Sequence, residues 1–482
     1  MRRSSDAAAF RPPPFHIDPT AALKELGPPA DTDRLAEAGR RAALGREDLA
    51  RRGHAPDGAR RLRRFSLHET AQRVLGLAPG ALRDLIACNP ALPRGAGPGR
   101  AFSFAETQTL RAALSPAPFR PEGLAAKVVA AANFKGGVGK TSLAAHLAMA
   151  AALDGARVLA VDLDSQGSLT SIFGARPEDA WGTAYPLLAR DFARALQAAG
   201  RAVEDEALAA ALALDPRKIP RKTHWPAVDL IPAQLELYWA EFQVPVWRLS
   251  LPSWRLWEAF DTALTEMGAR ETYDLIVIDT PPALGYLTVN ALAAADIVFA
   301  PLGASFLEFD STGRFFDMLH ATFASIEEGE SAASRALGLG EVRFEWDAVR
   351  AVLTRYDAAQ QKEMADHIAA SFGDLMARHR IEATALIGQA GEQVKGILEA
   401  DPRDFNPATL RRGRETFDLF YAEAKALLVG AWERDRRAPA GEPPAGAPPA
   451  GEAPAGAPPA GEPVSHAKHA PSQGTDDRGE AA

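Results

Sequence analysis

Cysteine is nearly missing: Cys88 is the single one in 482 residues. One thiol excludes an intrachain disulfide framework and any metal site built on two or four cysteines. It suits a reducing cytoplasm. No apolar run reaches the ~18 residues that a membrane-spanning helix needs. No apolar core follows Arg2 and Arg3 at the N-terminus, so no signal peptide is visible. Positive charge is not in excess either. The net charge of −8 means that any DNA contact must come from local patches. What remains, 47% hydrophobic and 24% charged, is ordinary globular composition. The length allows two to four domains.

The densest chemistry lies at Phe134-Lys135-Gly136-Gly137-Val138-Gly139-Lys140-Thr141-Ser142. An apolar, β-branched run from Lys127 to Asn133 precedes it, and an Ala/Leu-rich helical stretch, Leu143 to Leu153, follows. Strand, glycine loop and helix together form a phosphate cradle. Glycines let successive N–H groups face one anion, and the helix N-terminus adds its positive end. Lys140 would reach the β- and γ-phosphates, and the Thr141 hydroxyl would ligate Mg²⁺. The strict pattern G-x-x-x-x-G-K-[ST] is not met, because Phe134 occupies the first glycine position.

Two further stretches carry carboxylates at strand ends. Arg157 to Leu163 is an apolar strand running into Asp162 and Asp164, which fall on one side of the strand end. Tyr273-Asp274-Leu275-Ile276-Val277-Ile278-Asp279 has four consecutive aliphatic residues, the pattern of a strand buried on both faces. Strands alternating with helices imply a doubly wound α/β fold with a mainly parallel sheet. The ligand belongs at the carboxyl ends of the strands, where all three motifs fall.

The rest of the chain divides around this domain. Residues 1–61 form a Pro/Arg-rich arm, partly helical, and arginine dominates from Arg34 on to Arg64. Residues 62–115 contain two short amphipathic helices joined at Gly76, then Arg94 to Arg100 as a hairpin, then a third helix near Leu114. This is a helix-turn-helix pattern with a wing. Residues 116–123 are a linker, 124–432 the nucleotide domain, and 433–482 a disordered Pro/Ala/Gly/Glu tail with a ten-residue repeat. The aromatics Trp239, Phe242, Trp247, Trp254 and Trp257 read as core or interface anchors, because no basic residues interleave them densely.

The loop K-G-G-x-G-K-T at 135–141 resembles the deviant Walker A motif of the ParA/MinD group of P-loop ATPases. Asp162-Leu163-Asp164-Ser165-Gln166-Gly167 is similar to the family's second motif, with Ser165 in place of a proline. Asp279-Thr280-Pro281-Pro282 resembles its Walker B and switch II, and Ser305 to Thr312 a stretch of RepA-type plasmid partition proteins. Residues 62–115 look like the MerR-like winged helix of the larger partition ATPases, although Ala71 and Gly76 stand five apart where four is usual.

The resemblance implies an ATPase acting in the partition of a low-copy plasmid or replicon. ATP and Mg²⁺ are its cofactors. Lys135, Lys140 and Asp164 are its catalytic candidates, with Lys135 crossing to the nucleotide of a second subunit in a homodimer. Gly136, Gly137, Val138, Gly139, Thr141 and Ser142 complete the nucleotide site, and Thr141 and Asp279 hold the metal. The dimer is expected to bind DNA nonspecifically, to respond to a ParB/RepB-type centromere-binding protein, and to reside in the cytoplasm on the nucleoid. Arg83, Arg94 and Arg100 are candidate operator contacts for autorepression. Arg378, His379, Arg380, Lys395, Arg403, Arg411, Arg412 and Arg414 lie in the region where the family carries a basic DNA surface. The tail contains no basic amphipathic helix, which argues against the membrane-binding MinD branch. An ATP-switched transcriptional regulator without turnover and a positioner of non-DNA cargo are the alternatives.

Overall fold

The computed structural model describes residues 61–437, apart from 98, 115–116, 176, 178, 337–342, 385–395 and 402–404, together with part of a helix between 33 and 44. Most of the expected arm at 1–61 and of the expected tail at 433–482, as well as Lys395 and Arg403, lie outside the described residues.

Seven strands form one sheet in the order β3-β4-β2-β5-β1-β6-β7. They are β1 (Lys127–Ala131), β2 (Val158–Asp162), β3 (Arg221–Lys222), β4 (Val228–Ile231), β5 (Leu275–Asp279), β6 (Ile297–Gly303) and β7 (Ala348–Thr354). Every pairing is parallel except β3 with β4. The aliphatic runs account for this. Every residue of β1, β2, β5 and β6 is buried, as strands covered by helices on both faces must be. Alternate side chains feed two cores. Val128, Ala130, Leu159, Val161, Ile276 and Ile278 point to one face. Val129, Ala131, Val158, Ala160, Leu275 and Val277 point to the other, following the period of two along a strand. Because β5 lies between β2 and β1, the carboxyl ends of these three strands converge. Register pairs Asp162 and Ala131 each with Asp279.

Between residues 185 and 218 the chain forms the helices Tyr185–Ala198 and Glu206–Ala213 and the short turn Pro216–Lys218. Residues 65–114 form a small unit of their own. Ser66 and Glu69 build a capping box at the first turn, Gly76 turns the chain with φ +64°, and helix Pro79–Cys88 follows with proline at its first position. Bridges Ala96↔Ala101 and Phe65↔Phe102 close a hairpin before helix Phe104–Leu114. Leu67, Ala71, Leu82, Ile86, Leu92, Phe102 and Leu110 are its core.

This unit is docked, not tethered loosely. Phe65, Val74 and Phe104 join the core of the large domain, with Phe104 edge-on to Trp225 at 6.2 Å. Glu69 receives Arg63, from the segment just before the unit, at 2.8 Å and Arg414 from the long helix Pro407–Arg437. Arg73 pairs with Asp418 on that same helix. Arg111 reaches Asp154 at 2.8 Å.

Candidate functional site

The phosphate loop spans from the end of β1 to the start of helix Lys140–Leu153. Gly137 and Gly139 take φ +73° and +96°, a conformation that costs a residue with a Cβ but not glycine. The helix beyond is Ala-rich and buried on nearly all sides, so it fixes the loop rigidly against the sheet. Three tethers hold the loop from outside. The Asn133 side chain donates to the Pro301 carbonyl at 2.9 Å and to Thr312 Oγ1 at 3.1 Å, and accepts the Lys135 N–H at 3.2 Å. Thr354 Oγ1, at the end of β7, donates to the Val138 carbonyl at 2.7 Å. Thr280 Oγ1 donates to the Ala131 carbonyl at 2.9 Å, which pins the loop after β5 to the end of β1. Pro282 of that loop faces Gly136.

Lys140 is buried, and its Nζ donates to the Lys135 carbonyl at 3.2 Å. Burial lowers its affinity for a proton, against the opposing pull of Asp279 and Asp164. Lys135 is half-buried, and Gly136 and Gly137 are exposed at the loop's tip. Thr141 and Ser142 are half-buried at the first helical turn.

The two buried carboxylates differ in what they do. Asp162 Oδ2 accepts the Thr170 N–H and the Thr170 hydroxyl, both at 2.8 Å, and Oδ1 accepts the Asp164 N–H at 3.2 Å. Burial nevertheless pushes Asp162 up to about 7. Asp279 is fully buried, and neither of its oxygens has a hydrogen-bond partner. Burial first, and the neighbouring Asp162 second, raise it well above the ordinary carboxylate range, while Thr141 and Lys140 oppose. An orphaned buried carboxylate beside a hydroxyl and an ammonium is a costly arrangement without a cation. Two hard oxygen donors suit Mg²⁺, which takes few protein ligands and completes its shell with phosphate and water. Among the described residues no cluster of three His, Cys, Asp or Glu builds an all-protein metal cage. Asp164 is half-buried at the rim, and its Oδ1 accepts the Gln166 N–H at 3.0 Å.

The other expected residues lie elsewhere. Arg83 and Arg94 are exposed on the small unit, on helix Pro79–Cys88 and at the base of the hairpin. Arg100 takes φ +49°, and its Nη1 is buried with no hydrogen-bond partner. Arg414 is 7% exposed and serves the docking of the small unit, so it is not part of any basic surface. Arg380 and Arg412 are paired with Asp366 and Glu382.

Sequence reasoning missed the tethers Asn133, Thr312 and Thr354, and also His146. His146 is buried on the phosphate-loop helix, stacks on Phe417 at 3.9 Å, and accepts the Ile397 N–H on Nε2 at 2.8 Å. Burial pushes it down to about 4, so it stays neutral. A polar residue inside an otherwise Ala/Leu helix was the available signal.

A parallel sheet with this strand order, a glycine loop at the end of β1 and a lone buried aspartate at the end of β5 defines a P-loop nucleotide-binding domain. A family model described as an AAA domain matches residues 126–326. A replication protein A of Sinorhizobium fredii is 32% identical over 397 residues, covering 79% of this chain and 89% of the relative. The chromosome partitioning protein ParA of Caulobacter vibrioides is 30% identical over 321 residues, covering 65% of this chain and 97% of the relative. A solved partition protein shares the fold, with a TM-score of 0.52 at 16% identity over 82% of this chain and 98% of that one. The chain belongs to the ParA family of P-loop ATPases.

Proposed function

We propose that this protein is a Mg²⁺-dependent ATPase that drives the partition of a low-copy plasmid or replicon. The observation that carries the reading is the buried, unpartnered Asp279 beside Thr141 and Lys140 at the foot of the glycine loop. Bound Mg²⁺ would neutralise developing phosphate charge; Thr141 and Asp279 are the residues that would hold it. The backbone N–H groups of 136–142 bind the phosphates. Lys140, oriented by the Lys135 carbonyl, places its ammonium on them. Asp164, oriented by the Gln166 N–H, directs the attacking water. Asp162 holds Thr170 and thereby the shape of the loop around Asp164. Lys135 lies at the rim of the site, a position from which it reaches the nucleotide of a second subunit.

In this reading the ATP-bound homodimer binds DNA nonspecifically on the nucleoid. A ParB/RepB-type protein stimulates hydrolysis and releases it. The exposed Arg83 and Arg94 support a second role for the small unit in binding an operator and repressing its own operon. The relatives named for replication and chromosome partitioning support the partition role. The deciding experiment is ATP turnover of the wild type and of Lys135→Ala, with and without nonspecific DNA and the partner. DNA and partner together should raise a slow basal rate, and Lys135→Ala should abolish the rise while nucleotide still binds. Turnover insensitive to both would favour a nucleotide-switched regulator instead.

A further inference from the structure

The Asp164 loop runs directly into helix Ser168–Phe173. Six residues are too few for a helix to hold its shape without contacts from outside. Such contacts come at both ends. At the start, the Gly167 N–H donates to the Asp164 carbonyl at 2.8 Å, and Asp162 holds Thr170 by its N–H and its hydroxyl. At the last residue, the Phe173 carbonyl accepts Nδ1–H of His224 at 3.0 Å. This carbonyl is one of the four that a helix C-terminus leaves without an internal partner, and a histidine is a suitable donor for it.

The opposite nitrogen of His224, Nε2, donates to Oε1 of Glu399. Both partners of the ring are acceptors, so the ring donates from both nitrogens, as an imidazolium does. The two side chains are only 5% and 7% exposed. Glu399 also accepts Trp225 Nε1–H at 3.1 Å and the Gly396 N–H at 2.9 Å. Burial alone would raise Glu399, but His224 and these two donors hold it below the usual carboxylate range. Removing one member of such a buried pair leaves the other uncompensated.

Glu399 belongs to the short turn Ile397–Glu399, and that turn is fixed to the phosphate-loop helix. The Ile397 N–H donates to His146 Nε2 at 2.8 Å, and His146 Nδ1–H donates to the Ser142 carbonyl at 2.6 Å. A Cβ on Gly396 would stand 2.5 Å from Met149 Sδ, so the turn lies close against the helix. Two histidines thus run from one turn to two parts of the nucleotide site. His146, neutral, reaches the residue next to Thr141. His224, donating on both sides, reaches the end of the helix that follows Asp164. Its partners lie 51 and 175 residues away in the chain.

We propose that His224 is a positioning residue for ATP hydrolysis. Clamped on Glu399, it fixes helix Ser168–Phe173 relative to the phosphate-loop helix, and so holds the Asp164 carboxylate in place for the attacking water. His224 acts through this helix, not on the nucleotide. The proposal rests on the reading of Asp164 given above, as the group that directs that water.

The test compares the full-length wild type with His224→Ala, Glu399→Gln, the double variant and Asp164→Ala. The readouts are kcat and KM with Mg²⁺ and ATP, affinity for a fluorescent nonhydrolysable ATP analogue, and amide hydrogen exchange. His224→Ala should lower kcat about tenfold or more, the scale of a displaced catalytic group, while KM and analogue affinity change less than about threefold. Exchange should quicken at residues 165–174 and stay as in the wild type along helix Lys140–Leu153. Glu399→Gln should act in the same direction, and the double variant should lose no more kcat than His224→Ala, because the two side chains act as one unit. Glu399→Gln also keeps the size of its side chain, and it carries the same readouts if His224→Ala does not fold. An unchanged kcat in both single variants overturns the proposal. So does a fall in kcat matched by an equal loss of nucleotide affinity and by faster exchange throughout the domain, which would make the pair a scaffold only. If Asp164→Ala turns over ATP like the wild type, the reading of Asp164 fails and takes the proposal with it. If Asp164→Ala is inactive and His224→Ala is not slowed, only the proposal fails.

Discussion

Protonating or neutralising Glu69 should release the small unit from the ATPase domain. Glu69 is buried between Arg63 and Arg414, with side chains 9–12% exposed. Burial alone would raise it, but the Arg63 hydrogen bond and the Arg63 and Arg414 charges outweigh burial and hold it at about 2 rather than 4.5. A folded-state value below the unfolded one contributes stability above the unfolded value and loses it as pH falls. The contribution is about 3 kcal/mol at neutral pH. It is complete above pH ~4.5, declines between there and ~2, and is gone below. Glu69→Gln keeps the shape and the reach to the Ser66 N–H, but leaves two guanidinium groups facing each other. Breaking one side of a buried pair costs on the order of 3–5 kcal/mol. The assay is urea unfolding of wild type and Glu69→Gln from pH 7 to pH 3, with limited proteolysis in the 116–123 segment reporting undocking. The variant should lose roughly 3 kcal/mol at pH 7, and the gap should narrow as pH falls towards 3. A gap below ~0.5 kcal/mol at pH 7, or one that does not change with pH, would refute the electrostatic account of docking.

Asp279→Asn replaces a buried carboxyl that has no hydrogen-bond partner and sits beside Asp162. The nucleotide-free protein should become about 1–3 kcal/mol more stable, and Mg²⁺ with nucleotide should no longer raise its melting temperature as in the wild type. His146→Leu should cost about 1–3 kcal/mol, because the Ile397 N–H loses its acceptor inside the core; chemical denaturation measures it. Gly285→Ala should displace the Glu241 carboxylate from the N-terminus of helix Tyr286–Ala294. We expect a loss of about 1 kcal/mol, the size of a removed helix cap, and faster amide exchange at Tyr286 and Leu287.

The central strands were legible because burial on both faces leaves a mark in every residue. Leu275 to Ile278 admit no polar side chain, and the carboxylates begin only where the strand ends at Asp279. The glycine loop was legible because its backbone conformation restricts residue type at Gly137 and Gly139. The tethers were not, since Asn133 and Thr354 act on partners 168 and 216 residues away, and nothing local marks them. The β3 edge strand, Arg221-Lys222, is two charged residues paired only on one side, and carries no apolar pattern. Among the aromatics, period alone did not separate Trp247, which is buried, from Trp239, which is 60% exposed. Arg414 looked like a member of a basic run with Arg411 and Arg412, and only its distant partner Glu69 shows otherwise.

The docking of the small unit on helix Pro407–Arg437 has a consequence for the order of events at the ribosome. Glu69 and Arg73 are translated early, yet Arg414 and Asp418 follow each of them by 345 residues. At ~5–20 residues per second that separation amounts to roughly 20–70 s during which the small unit has no dock. Its seven-residue core can close in that time, while Phe65, Val74 and Phe104 stay without the surface that covers them. A unit synthesised ahead of the ATPase domain is therefore among the last to reach its final place, and it gets there only once that domain has been completed.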